Sequence, residues 1–196
     1  MVESVSHRLS VAVLLMLVLV SITGIAQADF NDGLTAYEKG DYPTALKEWR
    51  PLALKGDPHA QHMMGFLYAH GRGVAIDPKQ TVKWWRQAAD QGFAPAQYTL
   101  GSLYRKGLGV EHDLKKAVSW IGRAADAGYP DAQYALGIMN ATGEGMESDL
   151  SSAYMWLSLA ADTRGLDAEA FWRDLDKHLT PAQRLEAEQL KKEWDK

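Results

Sequence analysis

Gly92-Phe93-Ala94-Pro95-Ala96-Gln97-Tyr98-Thr99-Leu100-Gly101, followed by Gly107-Leu108-Gly109 and Asp113, decides the fold because the chain carries it three times. A shift of 36 residues lays Gly56, Ala60-Gln61 and Gly65 over Gly92, Ala96-Gln97 and Gly101, and those over Gly128, Ala132-Gln133 and Gly137. The register continues without a gap. Gly71, Gly107 and Gly143 coincide, as do Gly73, Gly109 and Gly145, then Asp77, Asp113 and Asp149, then Trp84, Trp120 and Trp156. Ala88-Ala89, Ala124-Ala125 and Ala160-Ala161 close the copies, and Asp41, Ala45, Ala53 and Gly56 form a further half-copy at the same shift.

Each copy reads as two helices. Ala60, Met64, Leu67 and Tyr68 fall near the i, i+4, i+7, i+8 spacing of one buried face, which predicts a first helix over about Ala60 to His70. Gly-x-Gly ends it, since a glycine just past a helix accepts the left-handed conformation that satisfies the last carbonyls. The recurrent aspartate opens the second helix, its carboxylate placed to accept from the free amides of the first turn. Small residues at Gly65, Ala88 and Ala89 allow close helix approach, with the repeated tryptophans filling the remaining space. A fixed period of this length built from helix pairs predicts an all-α, right-handed α/α superhelical solenoid.

The unit over Ala96 to Val110 and Asp113 to Ala125 closely resembles the Sel-one-like repeat, a relative of the tetratricopeptide repeat. The resemblance covers about Asp41 to Ala161. This sequence departs from the pattern at Thr81, where the repeat has alanine, and at Asn140, where Tyr68 and Tyr104 stand in the other copies. His62 likewise stands where the others have Tyr98 and Tyr134. The expected units are 29–55 (an N-terminal helical half-repeat), 56–91, 92–127 and 128–161, then a C-terminal helical cap over 162–196. In the cap, Ala168, Phe171, Leu175 and Leu179 mark one amphipathic helix. Thr180-Pro181-Ala182-Gln183 reads as a capping box opening another that ends near Trp194.

Ahead of the array, Val11 to Val20 is an unbroken apolar run behind His7 and Arg8, and Ala26-Gln27-Ala28 supplies the small residues of a cleavage site. Residues 1–28 are therefore expected to be a signal peptide, cut between Ala28 and Asp29, with a periplasmic or secreted product. The competing reading is an uncleaved anchor, although Ser21, Thr23 and Gln27 interrupt a stretch that needs about 20 apolar residues to span.

Composition narrows the function. The 196 residues carry a net charge of −4, with 46% hydrophobic and 23% charged side chains and no cysteine. An acidic chain without a basic run lacks the footprint of a nucleic-acid binder. Zero cysteines remove disulfides, thiolate metal sites and a cysteine nucleophile. No His-Glu-x-x-His, Gly-x-Ser-x-Gly or Ser-x-x-Lys signature occurs. His59, His62 and His70 share a helix without a carboxylate partner set, so they read as ordinary groove histidines rather than metal ligands. Gly-x-Gly joins two helices, which makes it a turn and not a phosphate cradle. The acidic loop Glu144 to Asp149 reads as a solvated turn with Asp149 as helix cap.

Function is then expected where the copies differ. The resemblance to tetratricopeptide arrays implies a concave groove lined by first-helix side chains. By register these are His62, Phe66 and His70, then Tyr98, Ser102, Arg105 and Lys106, then Tyr134 and Ile138, with His59, Ala69, Pro95, Asp131, Ala141 and Thr142 at the same offsets. The mixture suits an extended peptide or partner helix with acidic and hydrophobic residues. The expectation is an exported adaptor for a protein or peptide partner of the cell envelope, performing no catalysis and needing no cofactor or metal. It binds no nucleic acid and is not held in the membrane once cleaved. The alternatives are an ordinary solvated face, or an envelope enzyme or wall-fragment binder.

Overall fold

The computed structural model describes residues 29–164 and 166–194. Among them are ten α-helices: α1 Phe30–Glu38, α2 Tyr42–Leu54, α3 Pro58–His70, α4 Pro78–Asp90, α5 Ala94–Lys106, α6 Leu114–Asp126, α7 Pro130–Thr142, α8 Leu150–Arg164, α9 Leu166–Asp176 and α10 Pro181–Trp194. The expected leader and its cleavage site precede Asp29 and lie outside the described residues. None of the described helices is long and apolar enough to cross a membrane.

Packing follows chain order. Each helix rests chiefly on its sequence neighbours from α1 to α9, and α8 receives both α9 and α10. Contacts made chiefly between neighbours give a quasi-one-dimensional array, an all-α helical-repeat solenoid.

The turn chemistry works as the residue types require. The Asp77 carboxylate accepts from the Lys79 and Gln80 amides at 2.9 and 3.1 Å, Asp113 from Lys116 at 2.9 Å, and Asp149 from Ser151 and Ser152 at 3.0 and 3.1 Å. Gly71, Gly107 and Gly143 take left-handed φ of 65°, 67° and 73° just past α3, α5 and α7. The second glycine of each turn has a further job. A Cβ on Gly145 would come within 2.8 Å of the Leu114 backbone oxygen, and one on Gly73 within 2.8 Å of Tyr42. Gly-x-Gly is thus where a turn presses onto the start of the preceding pair's second helix.

Helix pairs close over glycine. A Cβ on Gly65 would lie 2.5 Å from the Trp85 ring, on Gly101 2.7 Å from Ile121, and on Gly137 2.7 Å from Leu157. The residue nested under the glycine is therefore the neighbour of the repeated tryptophan, not that tryptophan itself. The same lock joins α1 to α2, where Gly33 faces Trp49, a fully buried side chain whose indole N–H donates to the Phe30 carbonyl at 3.0 Å. Trp85 repeats that bond to the His62 carbonyl, also at 3.0 Å. The half-copy is a complete helix pair with a shorter turn.

The repeated Ala-Gln has a physical cause too. Gln61, Gln97 and Gln133 are buried, and their amides donate to the Ala53, Ala89 and Ala125 carbonyls at 3.1, 3.1 and 3.5 Å. Those carbonyls belong to the last turns of α2, α4 and α6, where each also accepts from the amide of Gly56, Gly92 or Gly128 and the glutamine supplies a second donor. One glutamine per junction caps the preceding pair from inside the next, worth about 1 kcal/mol each.

The departures are absorbed locally. Thr81 donates its hydroxyl to the Asp77 carbonyl at 2.9 Å and Asn140 its amide to the Leu136 carbonyl at 2.9 Å. At the C-terminal end the capping box forms reciprocally: the Thr180 amide donates to Gln183 Oε1 at 3.0 Å and the Gln183 amide to Thr180 Oγ1 at 3.3 Å. Of the face expected beside it, Leu175 and Leu179 are buried, Phe171 differs, and the Ala168 side chain lies outside the described residues. Phe171 is exposed, while Trp172 packs 5.4 Å from Tyr154 with Leu175 and Leu179 alongside. Trp194 meets Trp156 edge-on at 6.3 Å.

Candidate partner-binding face

The expected groove residues lie on α3, α5 and α7 but are not equally free. His70 and Lys106 are exposed, whereas Phe66, Ser102 and Arg105 are half-buried. Phe66 stacks on His70 at 4.1 Å and meets Tyr37 edge-on at 6.1 Å. Tyr98 packs against Tyr129 at 5.6 Å, just as His62 packs against Phe93 at 5.5 Å, so both serve the junction as well as the face. Tyr134 and Ile138 pack with the Ala153, Leu157, Leu175 and Leu179 cluster, which ties the α7 part of the face to the C-terminal helices.

His62 is electrostatically distinct. Burial, with a smaller contribution from neighbouring His59, pushes its pKa down from 6.5 to about 4. Its Nδ1 is buried without a hydrogen-bond partner, between the rings of Trp85 at 6.1 Å and Phe93. It is a neutral packing residue where the other copies carry tyrosine. No group of three or more His, Asp or Glu among the described residues is gathered closely enough to hold a metal ion.

The middle residue of Gly-x-Gly, read from sequence only as punctuation, reaches back onto the preceding pair. Arg72 lies over the rings of Tyr37 and Tyr42, each at 5.2 Å, and of Phe66 at 5.4 Å, and donates to the Tyr37 hydroxyl. Glu144 takes Arg105 bidentately at 2.8 and 2.7 Å and holds its guanidinium pKa above the ordinary value through those bonds. Between these closed junctions lies an open one. Leu108, the equivalent residue of the second copy, is exposed and lines a gap together with Ala69. A cleft of about 470 Å³ remains, lined by Ala69, His70, Trp85, Ser102, Lys106 and Leu108 among others. The signal was present in the sequence as paired variation: Tyr37 with Arg72, Ala69 with Leu108, Arg105 with Glu144.

Comparison with known proteins agrees with this architecture. The family described as Sel1 repeat matches residues 58–93, 94–129 and 130–162. Among solved structures, a Sel1 repeat protein from Oxalobacter formigenes is similar with a TM-score of 0.66 at 30% identity, over 68% of this chain and 55% of that one. A protective antigen present in uropathogenic Escherichia coli strains, displaying an SLR fold, is similar with a TM-score of 0.57 at 28% identity, over 77% of this chain and 40% of that one. The chain thus spans about half the length of the first and two fifths of the second. No protein of curated function matches it significantly. Sel1 repeats generally serve as protein-interaction scaffolds and are typically non-catalytic. Three consecutive copies, each framed by its glycine turn, buried glutamine and capping aspartate, make this chain a member of the Sel1 repeat family.

Proposed function

We propose that the protein is an exported adaptor that holds a protein partner of the cell envelope on the face built by α3, α5 and α7, and that it performs no chemistry. The observation that carries this reading is the division of labour along the repeat. Positions common to the copies are spent on caps, glycine contacts and buried amides, while the first-helix side chains that differ from copy to copy share one face. There they include exposed His70 and Lys106 beside an apolar cleft. Aromatic, cationic and apolar groups on one rigid face suit peptide or helix capture. Export rests on the apolar run and Ala26-Gln27-Ala28 of the sequence.

The test is capture from a bacterial envelope extract with a matched pair of variants. Ser102→Tyr with Lys106→Glu alters the first-helix face, and Gln87→Tyr with Lys83→Glu makes the same chemical change on the exposed side of α4. With helicity intact in both, the first should lose a partner that wild type and the second retain. Equal retention by both variants would exclude this face.

A further inference from the structure

We infer that the cleft between α3, α4 and α5 is the specificity pocket of this face, taking one bulky apolar side chain of a partner peptide that carries a carboxylate beside it. This rests on the adaptor reading and deepens it. The flanking junctions are shut by Arg72 over its aromatic cluster and by the Arg105–Glu144 pair, and the middle one alone of these three lacks a plug. Its volume of about 470 Å³ falls within the range of sites that enclose a ligand group.

The chemistry of the lining selects the occupant. Ile76 and Leu108 stand at the cleft 66% and 56% exposed, with Trp85 and Leu103 also lining it, so an apolar side chain entering there removes water chiefly from Ile76 and Leu108. No Asp or Glu lines the cleft, and Lys106 is its one permanently charged side chain. Lys106 has no carboxylate within 4 Å among the described residues, whereas Arg105 beside it is already neutralised by Glu144. An unpaired ammonium at the side of an apolar pocket complements an acidic neighbour and repels a basic one.

The wild-type full-length chain is panned against a display library of random nonapeptides, and the enriched consensus is synthesised with a fluorescein label for anisotropy titration. Enriched sequences should share Leu, Met or Phe with Asp or Glu within two positions. Ala69→Arg with Leu108→Glu, which copies the ion pair of the next junction into the cleft, should weaken binding at least tenfold while thermal melting shows it folded. Should that pair misfold, the surface change Lys106→Gln alone serves, with a loss of threefold or more that shrinks as salt rises. Absence of enrichment, a basic consensus, or binding by a folded plugged variant within twofold of wild type overturns the pocket. So does a concentration-dependent dimer in sedimentation that the plug abolishes, since a second copy would then be the occupant. The pocket fails separately from the adaptor reading: a partner lost with Ser102→Tyr and Lys106→Glu but kept by the plugged variant leaves the face standing and removes the pocket.

Discussion

The two junctions that flank α5 share a backbone plan and end in opposite states. On the C-terminal side Arg105 and Glu144 meet in two hydrogen bonds, and on the N-terminal side Ala69 and Leu108 leave a cleft. Both rest on the same buried supports: glycine over a large side chain, glutamine to a helix-end carbonyl, aspartate at the next cap. The difference teaches that the fold of this array is held by what recurs, so the residues that vary are free to shape its surface.

The strongest way to break that comparison uses two positions one turn apart on α3. Gly65→Val places atoms inside the van der Waals envelope of Trp85, whose ring already sits 2.5 Å from where a Cβ would be. Overpacking of this kind should cost about 3 kcal/mol. Ala69→Val extends into the cleft instead and should cost less than about 1 kcal/mol, the helix-propensity difference. Denaturant titration of the two variants checks this, and equal losses would mean that the open junction is as tightly built as the closed contact.

His62 sharpens the comparison through pH. Its pKa is 6.5 unfolded and about 4 folded, so between those values the unfolded chain binds a proton that the folded chain refuses. Stability from this residue is full above about 6.5 and lost as pH falls toward 4, amounting to about 2 kcal/mol between pH 7.5 and 5. His62→Tyr, which restores the residue of the other copies, should flatten the dependence of thermal midpoint on pH over that window. An unchanged slope would assign the acid sensitivity elsewhere.

A smaller effect concerns the buried glutamines. Gln61 Oε1 accepts from Gln91 at 2.7 Å, but Ala127 stands at the equivalent of Gln91 in the next copy and Gln97 Oε1 is left buried without a donor. The two backbones match, with φ of −82° and −78°. Ala127→Gln should therefore add about 1 kcal/mol by supplying that donor, read as a rise in thermal midpoint. A fall would show that the second junction cannot admit the longer side chain.

Most of the fold was legible because a repeat announces its structural positions by recurrence. Glycine turns, aspartate caps, the capping box at Thr180 and the pairing of α1 with α2 all follow from residue type and spacing. The roles of Gln61, Gln97 and Gln133 were visible only as recurrence, since nothing in a linear sequence says which carbonyl lies opposite an amide. Phe171 and Trp172 could not be ordered by periodicity alone, because adjacent aromatics compete for one face and the neighbouring Tyr154 decides between them. The face itself was legible as a set of offsets, while its cleft was not. That cleft is lined by Ala69 and Leu108, distant in sequence, at the positions where the next junction holds the Arg105–Glu144 pair.

The central claim is that the varying side chains of the first helices, and not the exposed side of α4, meet the partner. It is tested most directly by placing a photo-crosslinking amino acid at Ser102 in one strain and at Gln87 on the exposed side of α4 in another, then irradiating living cells. The account predicts a discrete protein adduct at 102 and none at 87. Adducts at 87 alone, or the same adduct from both positions, would contradict it.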